Sequence, residues 1–302
     1  MQAQRAHEAP GQRVMRSLLF VPGDRPERFD KAAASGADAV ILDLEDAVTP
    51  ARRAFARAEV ARWLAGASRA VPAWVRINPV ATEDALADLT AVIAGRPDGI
   101  VLPKARHAAD VCRADHWLEA VEAGAGLPRG GVGLLPLITE SAGALLNATS
   151  FTSLPPRVVG LTWGAEDLAA DVGASSNRTP DGEFELTYAM ARSFCLLAAA
   201  AAGVPAYDTI DTEFRELAAV ERRARASRRQ GFAGKLAIHP AQVTPIHAAF
   251  SPTEEEISWA GRVIAAFDAS PGAGAVAFEG GMLDRPHRRQ AERILAAAAR
   301  RG

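Results

Sequence analysis

Residues 160–173 read GLTWGAEDLAADVG, an apolar run that breaks at Gly164 and then presents Glu166 and Asp167 side by side. Residues that could do chemistry follow other apolar runs in the same way. They are Phe20, Asp24 and Arg25 in FVPGDRPER, Asp43, Glu45 and Asp46 in DLED, Arg76 and Asn78 in VRIN, and Lys104 in LPK. Glu140 in ITES, Asp208 and Asp211 in YDTID, and His239 in AIHP complete the set. Carboxylates facing one another repel unless a proton or a cation intervenes. Hard oxygen donors without a Cys/His cluster favour Mg²⁺, with Mn²⁺ as the alternative, and leave positions for water or substrate. Any one of these acids alone could cap a helix or pair with an arginine; several on one rim point to a bound cation.

Such convergence needs elements that bring the ends of many runs together. Aliphatic or β-branched runs recur at 17–21, 39–44, 73–77, 99–102, 132–138, 158–162, 206–210 and 235–238. Ala/Arg/Leu/Glu-rich stretches with helical spacing separate them, for example 50–65, 83–94 and 108–123. Eight strands alternating with helices predict a (β/α)8 TIM barrel, an α/β fold whose strand C-termini line one mouth. A doubly wound open sheet is the rival, but prolines rather than a G-x-G-x-x-G turn follow the first run. The barrel is expected over 16–250. A C-terminal helical arm or lid is expected over 251–302, with helices at 253–267 and 285–301 around a glycine-rich loop that could form a short hairpin.

The 302 residues are 49% hydrophobic and carry a formal charge of −2, which gives no whole-molecule reason to expect nucleic acid or an anionic membrane as partner. No run approaches a membrane span, and residues 1–15 lack the apolar core of a secretory signal and read as a disordered leader. Cys112 and Cys195 show no metal-ligand spacing, which suits a reduced, cytoplasmic protein.

RSLLFVPGDRPERFDKA, ADAVILDLEDAV, VRIN, LPKA, LITESAGAL, LTWGAEDLAADVG, AIHPAQV and GGMLDRPHRRQAERIL occur in that order. Together they resemble the citrate lyase β-subunit/malyl-CoA lyase family of the HpcH/HpaI aldolase superfamily. The resemblance runs from Arg16 to Leu295. It implies an Mg²⁺-dependent barrel that makes or breaks the bond between a 2-oxo acid and an acetyl or propionyl thioester of CoA. It also implies Glu140 and Asp167 as metal ligands, with Glu166 left to cap the helix or face a neighbour. Arg76 would bind the substrate carboxylate or reacting oxygen, Phe20 and Arg25 would line the substrate and CoA side, and Asp43 and Glu45 would orient metal-bound water. Asp284 of MLDRP matches an acid carried on the family's C-terminal lid, often from a neighbouring subunit, and implies a homotrimer or a hexamer of trimers. Glycine precedes Met282 where many relatives carry lysine, which removes one expected CoA contact.

Lys104 is placed with the substrate-binding residues, and a Schiff base from it is the rival to metal chemistry. The arginines of 221–230 suit a solvated helix face, His239 suits a loop hydrogen bond, and Trp74, Trp163 and Trp259 suit packing. The expected activity is cleavage or formation of a malyl-, citramalyl- or citryl-CoA. The alternatives are a β subunit acting on an acyl carrier protein partner, a thioesterase on the same scaffold, and a metal- and CoA-binding protein without turnover.

Overall fold

The computed structural model describes residues 14–66 and 69–299. Its eight barrel strands are β1 (Ser17–Pro22), β2 (Ala39–Asp43), β3 (Ala73–Arg76), β4 (Gly99–Leu102), β5 (Gly133–Ile138), β6 (Thr162–Trp163), β7 (Tyr207–Asp208) and β8 (Gly234–Ala237). They pair in parallel in the order β6-β5-β4-β3-β2-β1-β8-β7, and a bridge between Leu161 and Ala206 closes the ring. The intervening helices are α1 (Phe29–Ala33), α2 (Arg53–Leu64), α3 (Glu83–Val92), α4 (Ala108–Gly124), α5 (Ala142–Leu146), α6 (Ala165–Val172), α7 (Leu186–Ala202), α8 (Leu217–Gln230) and α9 (Val243–Phe250). The chain is a (β/α)8 TIM barrel with a helical C-terminal extension.

Side chains alternate across each strand, so one set fills the barrel. Leu18, Ala39, Ile41, Trp74, Val101, Leu135, Leu137, Tyr207 and Leu236 form that buried interior. Burying each large aliphatic side chain contributes about 1.5–3 kcal/mol. Continuing the same alternation toward the strand C-termini leads to Phe20 after Leu18, Asp43 after Ile41, and Arg76 after Trp74. The residues that could do chemistry are therefore the top layer of the packed interior.

Two of the expected strands are shorter than their apolar runs. Residues 158–161 lie outside β6 and join the barrel through isolated bridges and backbone hydrogen bonds, and 209–210 lie beyond β7, where the Thr209 carbonyl accepts from Lys235 Nζ at 2.6 Å. A Cβ on Gly160 would lie 2.6 Å from the Tyr207 ring. The ring therefore packs on bare backbone, while Leu161 N and Tyr207 N carry the hydrogen bonds across the seam, to Pro205 O at 3.0 Å and Leu161 O at 2.8 Å.

The expected leader lies outside the described residues over 1–13. Met15, also assigned to it, is instead buried in the barrel interior. No helix among the described residues is long and apolar enough to cross a membrane.

The chain divides into compact units after Ile246, inside α9, rather than at 250. The second unit contains α10 (Glu254–Asp268), the hairpin β9 (Ala275–Phe278) and β10 (Gly281–Asp284), and α11 (Arg285–Ala299). Thr253 and Glu256 cap α10 reciprocally through each other's backbone N–H, at 3.2 and 2.8 Å. Glu279 and Gly280 take φ +47° and +82°, the two left-handed positions of a tight hairpin turn. Val263, Phe267, Val276 and Ala291 form this unit's own small core.

Candidate active site

The β2–β3 register sets Asp43 directly opposite Arg76. Both carboxylate oxygens of Asp43 accept from Arg76, Nε at 2.7 Å and Nη2 at 2.6 Å. The same oxygens also accept from the backbone N–H groups of Glu45 and Ala47 at 3.0 and 3.1 Å. Asp43 thus holds both the arginine and the turn that carries Glu45. Arg76 lies over the Phe20 ring at 4.7 Å, and its Nη1 is 3.0 Å from Glu45 Oε2. These anions hold the guanidinium firmly charged.

Lys104, two residues past the end of β4, takes a left-handed conformation, φ +52°. Its backbone N–H thereby donates to Glu140 Oε2 at 2.5 Å. Its ammonium reaches Glu45 at 2.5 Å, Asp46 at 2.9 Å and Asp167 at 3.2 Å. These partners raise the lysine pKa, which keeps the amine protonated and works against the Schiff-base route. Lys104 is an ion-pair hub here.

Glu140 is buried and follows Thr139, another left-handed residue at φ +60°. Burial first, then the nearby Asp167 charge, pushes its carboxyl up to about 8. Glu45 is raised to about 7, chiefly by burial. Asp167 lies in the first turn of α6, where the helix N-terminus favours an anion. Gly164 just before it has no side chain to cover Glu140, and a Cβ there would sit 2.5 Å from Oε1.

Five carboxylates (Asp43, Glu45, Asp46, Glu140 and Asp167) therefore share two cations, Arg76 and Lys104. Burial first, and then the neighbouring Asp167 charge, disfavour the ionised form of Glu140, and a hard divalent cation would relieve both. Among the described residues no three His, Cys, Asp or Glu side chains group as a ligand set. Glu140 and Asp167 fit a cation that completes its shell with water and substrate oxygens, as small divalent ions commonly do.

Other acids expected at the mouth are committed elsewhere. Asp208 is buried and accepts from Trp163 Nε1 at 2.8 Å, Arg192 Nη2 at 2.7 Å and Ser227 Oγ at 2.5 Å. Lys235 and Arg192 lower its pKa despite that burial. Asp211 pairs with Arg223 at 2.7 Å, Arg178 at 3.3 Å and Lys235 at 3.5 Å. This second charge cluster needs no metal, so the acids after β7 leave the candidate ligand set. Asn78 donates to Leu44 O at 2.9 Å and to Asp88 at 2.8 Å, a structural role. Glu166 accepts from Asn177 at 2.9 Å and thus faces a neighbour, while the N-cap of α6 is Gly164.

Arg25 is exposed and lies 3.9 Å from its neighbour Asp24, so the structure pairs it with that acid and not with the Arg76–Lys104 cluster. His239 caps a short helical turn, accepting from Ala241 N at 3.2 Å, and stacks on Phe214. Within the second unit, Asp284 is exposed and its Oδ1 lies 2.6 Å from His287 Nδ1. Asp46, one of the acids of DLED to which the resemblance gives no role, pairs with Lys104.

A family profile described as HpcH/HpaI aldolase/citrate lyase matches residues 16–240. A second, described as a C–C bond lyase of the TIM-barrel fold, matches residues 193–302. The chain is 38% identical to a citrate lyase subunit beta-like protein of Mycobacterium tuberculosis over 92% of its own length and 93% of the relative's. It is 36% identical to a (3S)-malyl-CoA thioesterase of Cereibacter sphaeroides, covering 97% and 96%. A crystal structure of CitE from M. tuberculosis with magnesium, acetoacetate and coenzyme A superposes with a TM-score of 0.80 at 37% identity, over 95% of this chain and 98% of that one. The barrel, its carboxylate-rich mouth and these matches place the chain in the HpcH/HpaI aldolase/citrate lyase family, as a carbon–carbon lyase.

Proposed function

We propose that the protein cleaves or forms 3-hydroxyacyl-CoA thioesters of the malyl, citramalyl or citryl type, yielding a 2-oxo acid and acetyl-CoA. The observation that carries this reading is the pairing of buried Glu140 with Asp167 beside Arg76, more negative charge than the site's own cations balance. A magnesium ion held by Glu140 and Asp167 would supply Lewis acidity, easing loss of the substrate hydroxyl proton while chelating the adjacent oxygens. Arg76, fixed by Asp43, offers positive charge where an oxygen becomes anionic during carbon–carbon cleavage. Glu45 and Asp46 hold the Lys104 ammonium, whose backbone N–H fixes one oxygen of Glu140. Asp284 is the candidate that protonates the enolate carbon in cleavage and removes an acetyl proton in condensation. The C-terminal unit would act as its lid.

The (3S)-malyl-CoA thioesterase relative supports a second reading, hydrolysis of the thioester on the same scaffold. The purified protein, given malyl-CoA and citramalyl-CoA with and without magnesium and with products identified by mass, separates the two. Glyoxylate or pyruvate with acetyl-CoA supports the lyase. Free CoA with malate or citramalate supports the thioesterase. Turnover undiminished by EDTA removes the metal from either reading, and no turnover without an added acyl carrier points to a complex-dependent β subunit.

A further inference from the structure

Asp284 closes β10 and immediately precedes α11, so His287 is the third residue of that helix. Pro286 lies between them, and its ring fixes the backbone of the first turn. The turn brings His287 Nδ1 to 2.6 Å from Asp284 Oδ1. The Asp284 backbone N–H donates to the same ring nitrogen at 3.3 Å. Within this unit both side chains are about half exposed, so water reaches the pair.

Lone pairs on Oδ1 and Nδ1 repel at that separation unless a proton lies between them. With the proton on Nδ1, the ring N–H and the Asp284 backbone N–H would point at one another. With it on Oδ1, the ring nitrogen keeps a lone pair that faces both donors. The backbone amide therefore favours a carboxylic acid beside a neutral imidazole. Of the charges on α10 and the hairpin, Asp268 is held by Arg288 at 3.2 Å and Glu279 by Arg262 at 2.8 Å. On α11 itself Arg288 also holds Glu292 at 3.1 Å, and Arg285 and Arg289 flank His287 in sequence. Asp284 is thus the acid that the structure places against the imidazole.

We infer that His287 is a positioning residue for Asp284, orienting its carboxyl and resupplying the proton that the carboxyl delivers. This rests on the reading of Asp284 as the acid and base of the reaction. In cleavage the carboxyl O–H bond breaks as the enolate carbon takes the proton and forms its C–H bond. The carboxylate left behind faces the Nδ1 lone pair, and their repulsion favours uptake of one solvent proton between them. Condensation runs the same steps in reverse, the carboxylate taking the acetyl proton and solvent receiving one. A lone carboxyl gives up its proton near about pH 4 and an imidazole near about pH 6.5. A proton shared by the two titrates with the pair and is kept into the imidazole's range, where cleavage still finds an acid.

The test sets His287→Gln beside His287→Ala in the full-length protein. Glutamine can still accept from the Asp284 N–H, as the third residue of a capping box does, but it cannot hold the proton. Cleavage of malyl-CoA and citramalyl-CoA with magnesium is followed from about pH 5.5 to 8.5, alongside thermal melts. His287→Gln should melt like the wild type, keep KM within about twofold and lose about tenfold or more in kcat at about pH 8. Its basic limb should move toward acid by about one unit or more, so the loss shrinks at the acid end. Added to Asp284→Asn it should cost nothing further, as for residues that act as one. A glutamine variant equal to wild type at every pH, with only alanine impaired, reduces the contact to a helix cap and overturns the inference. A loss equal at every pH, or one that adds in full to that of Asp284→Asn, overturns it too. NMR of protein isotopically labelled on histidine reads the pair without substrate, the His287 signal being assigned by its loss in His287→Gln. It should titrate at lower pH in Asp284→Asn, and an unchanged titration overturns the shared proton. No wild-type turnover, or near-normal turnover of Asp284→Asn, instead removes the acid/base reading of Asp284 and with it the role of His287, whatever the NMR titration shows.

Discussion

A methyl group on Gly164 would lie 2.5 Å from Oε1 of Glu140, whose other oxygen is held by the Lys104 backbone N–H. The carboxylate is trapped between a residue that has no side chain and an amide placed by a left-handed turn. Gly164 itself has φ −131°, which any residue adopts, so substitution acts on its neighbour and not on the backbone.

Gly164→Ala is therefore expected to fold, at a cost of about 1–3 kcal/mol for overpacking. It should weaken magnesium binding at least tenfold. Isothermal titration with Mg²⁺ or Mn²⁺ checks this, and wild-type affinity in the variant would remove the cradle.

Stability should fall with rising pH when the metal is chelated. Glu45 and Glu140, at about 7 and about 8, sit above the ordinary value of 4.5, so the folded state holds protons that the unfolded state has lost. Their contribution is full below pH 4.5 and is lost as pH rises through 7 and 8. In EDTA, melting temperature should drop by about 3 °C or more between pH 5 and 8.5. Magnesium should restore it at the upper end. Glu45→Gln and Glu140→Gln should flatten the slope, and a wild-type slope in both would contradict the assignment.

Arg76→Lys keeps the charge but loses the paired grip on Asp43. A loss of about 10²–10³ in kcat/KM is expected, the range seen when one donor to a developing anion is removed. Asp208→Asn provides the contrast. It breaks a buried acid's ion pairs, which typically costs about 3–5 kcal/mol, yet it should leave metal affinity within about twofold. Denaturant melts and metal titrations of both variants make the comparison, and a large metal-binding defect in Asp208→Asn would return that acid to the site.

Asp284→Asn should lower turnover by about 10²-fold or more while magnesium binding stays intact. Near-normal kcat in this variant would falsify the acid/base role, whatever the fate of the metal assignment.

Much of this arrangement is legible in order along the chain. Leu18-to-Phe20, Ile41-to-Asp43 and Trp74-to-Arg76 are period-2 steps from a packed interior to its rim, so strand alternation alone aims those three groups inward. The seventh strand departs from this pattern. Asp208 and Asp211 have the same sequence context as Glu45 or Asp167, but Arg192, Arg223 and Lys235 reach them from helices and strands close in space. Ion pairing between elements has no signature in local spacing. The packing of the Tyr207 ring on Gly160 is equally invisible to local spacing, since it links residues 47 positions apart.

By itself the sequence determined the alternation of eight strands with helices, the end of the barrel where acids collect, and the family to which the motifs belong. These follow from periodicity and from residue order, which are properties of the chain before it folds. Only the tertiary structure decided that Lys104 joins Glu140 to Asp167 and that the acids after β7 are already neutralised. Those outcomes depend on distances across the closed ring, where the Coulomb energy of a pair is set by a few ångströms that no spacing along the chain specifies.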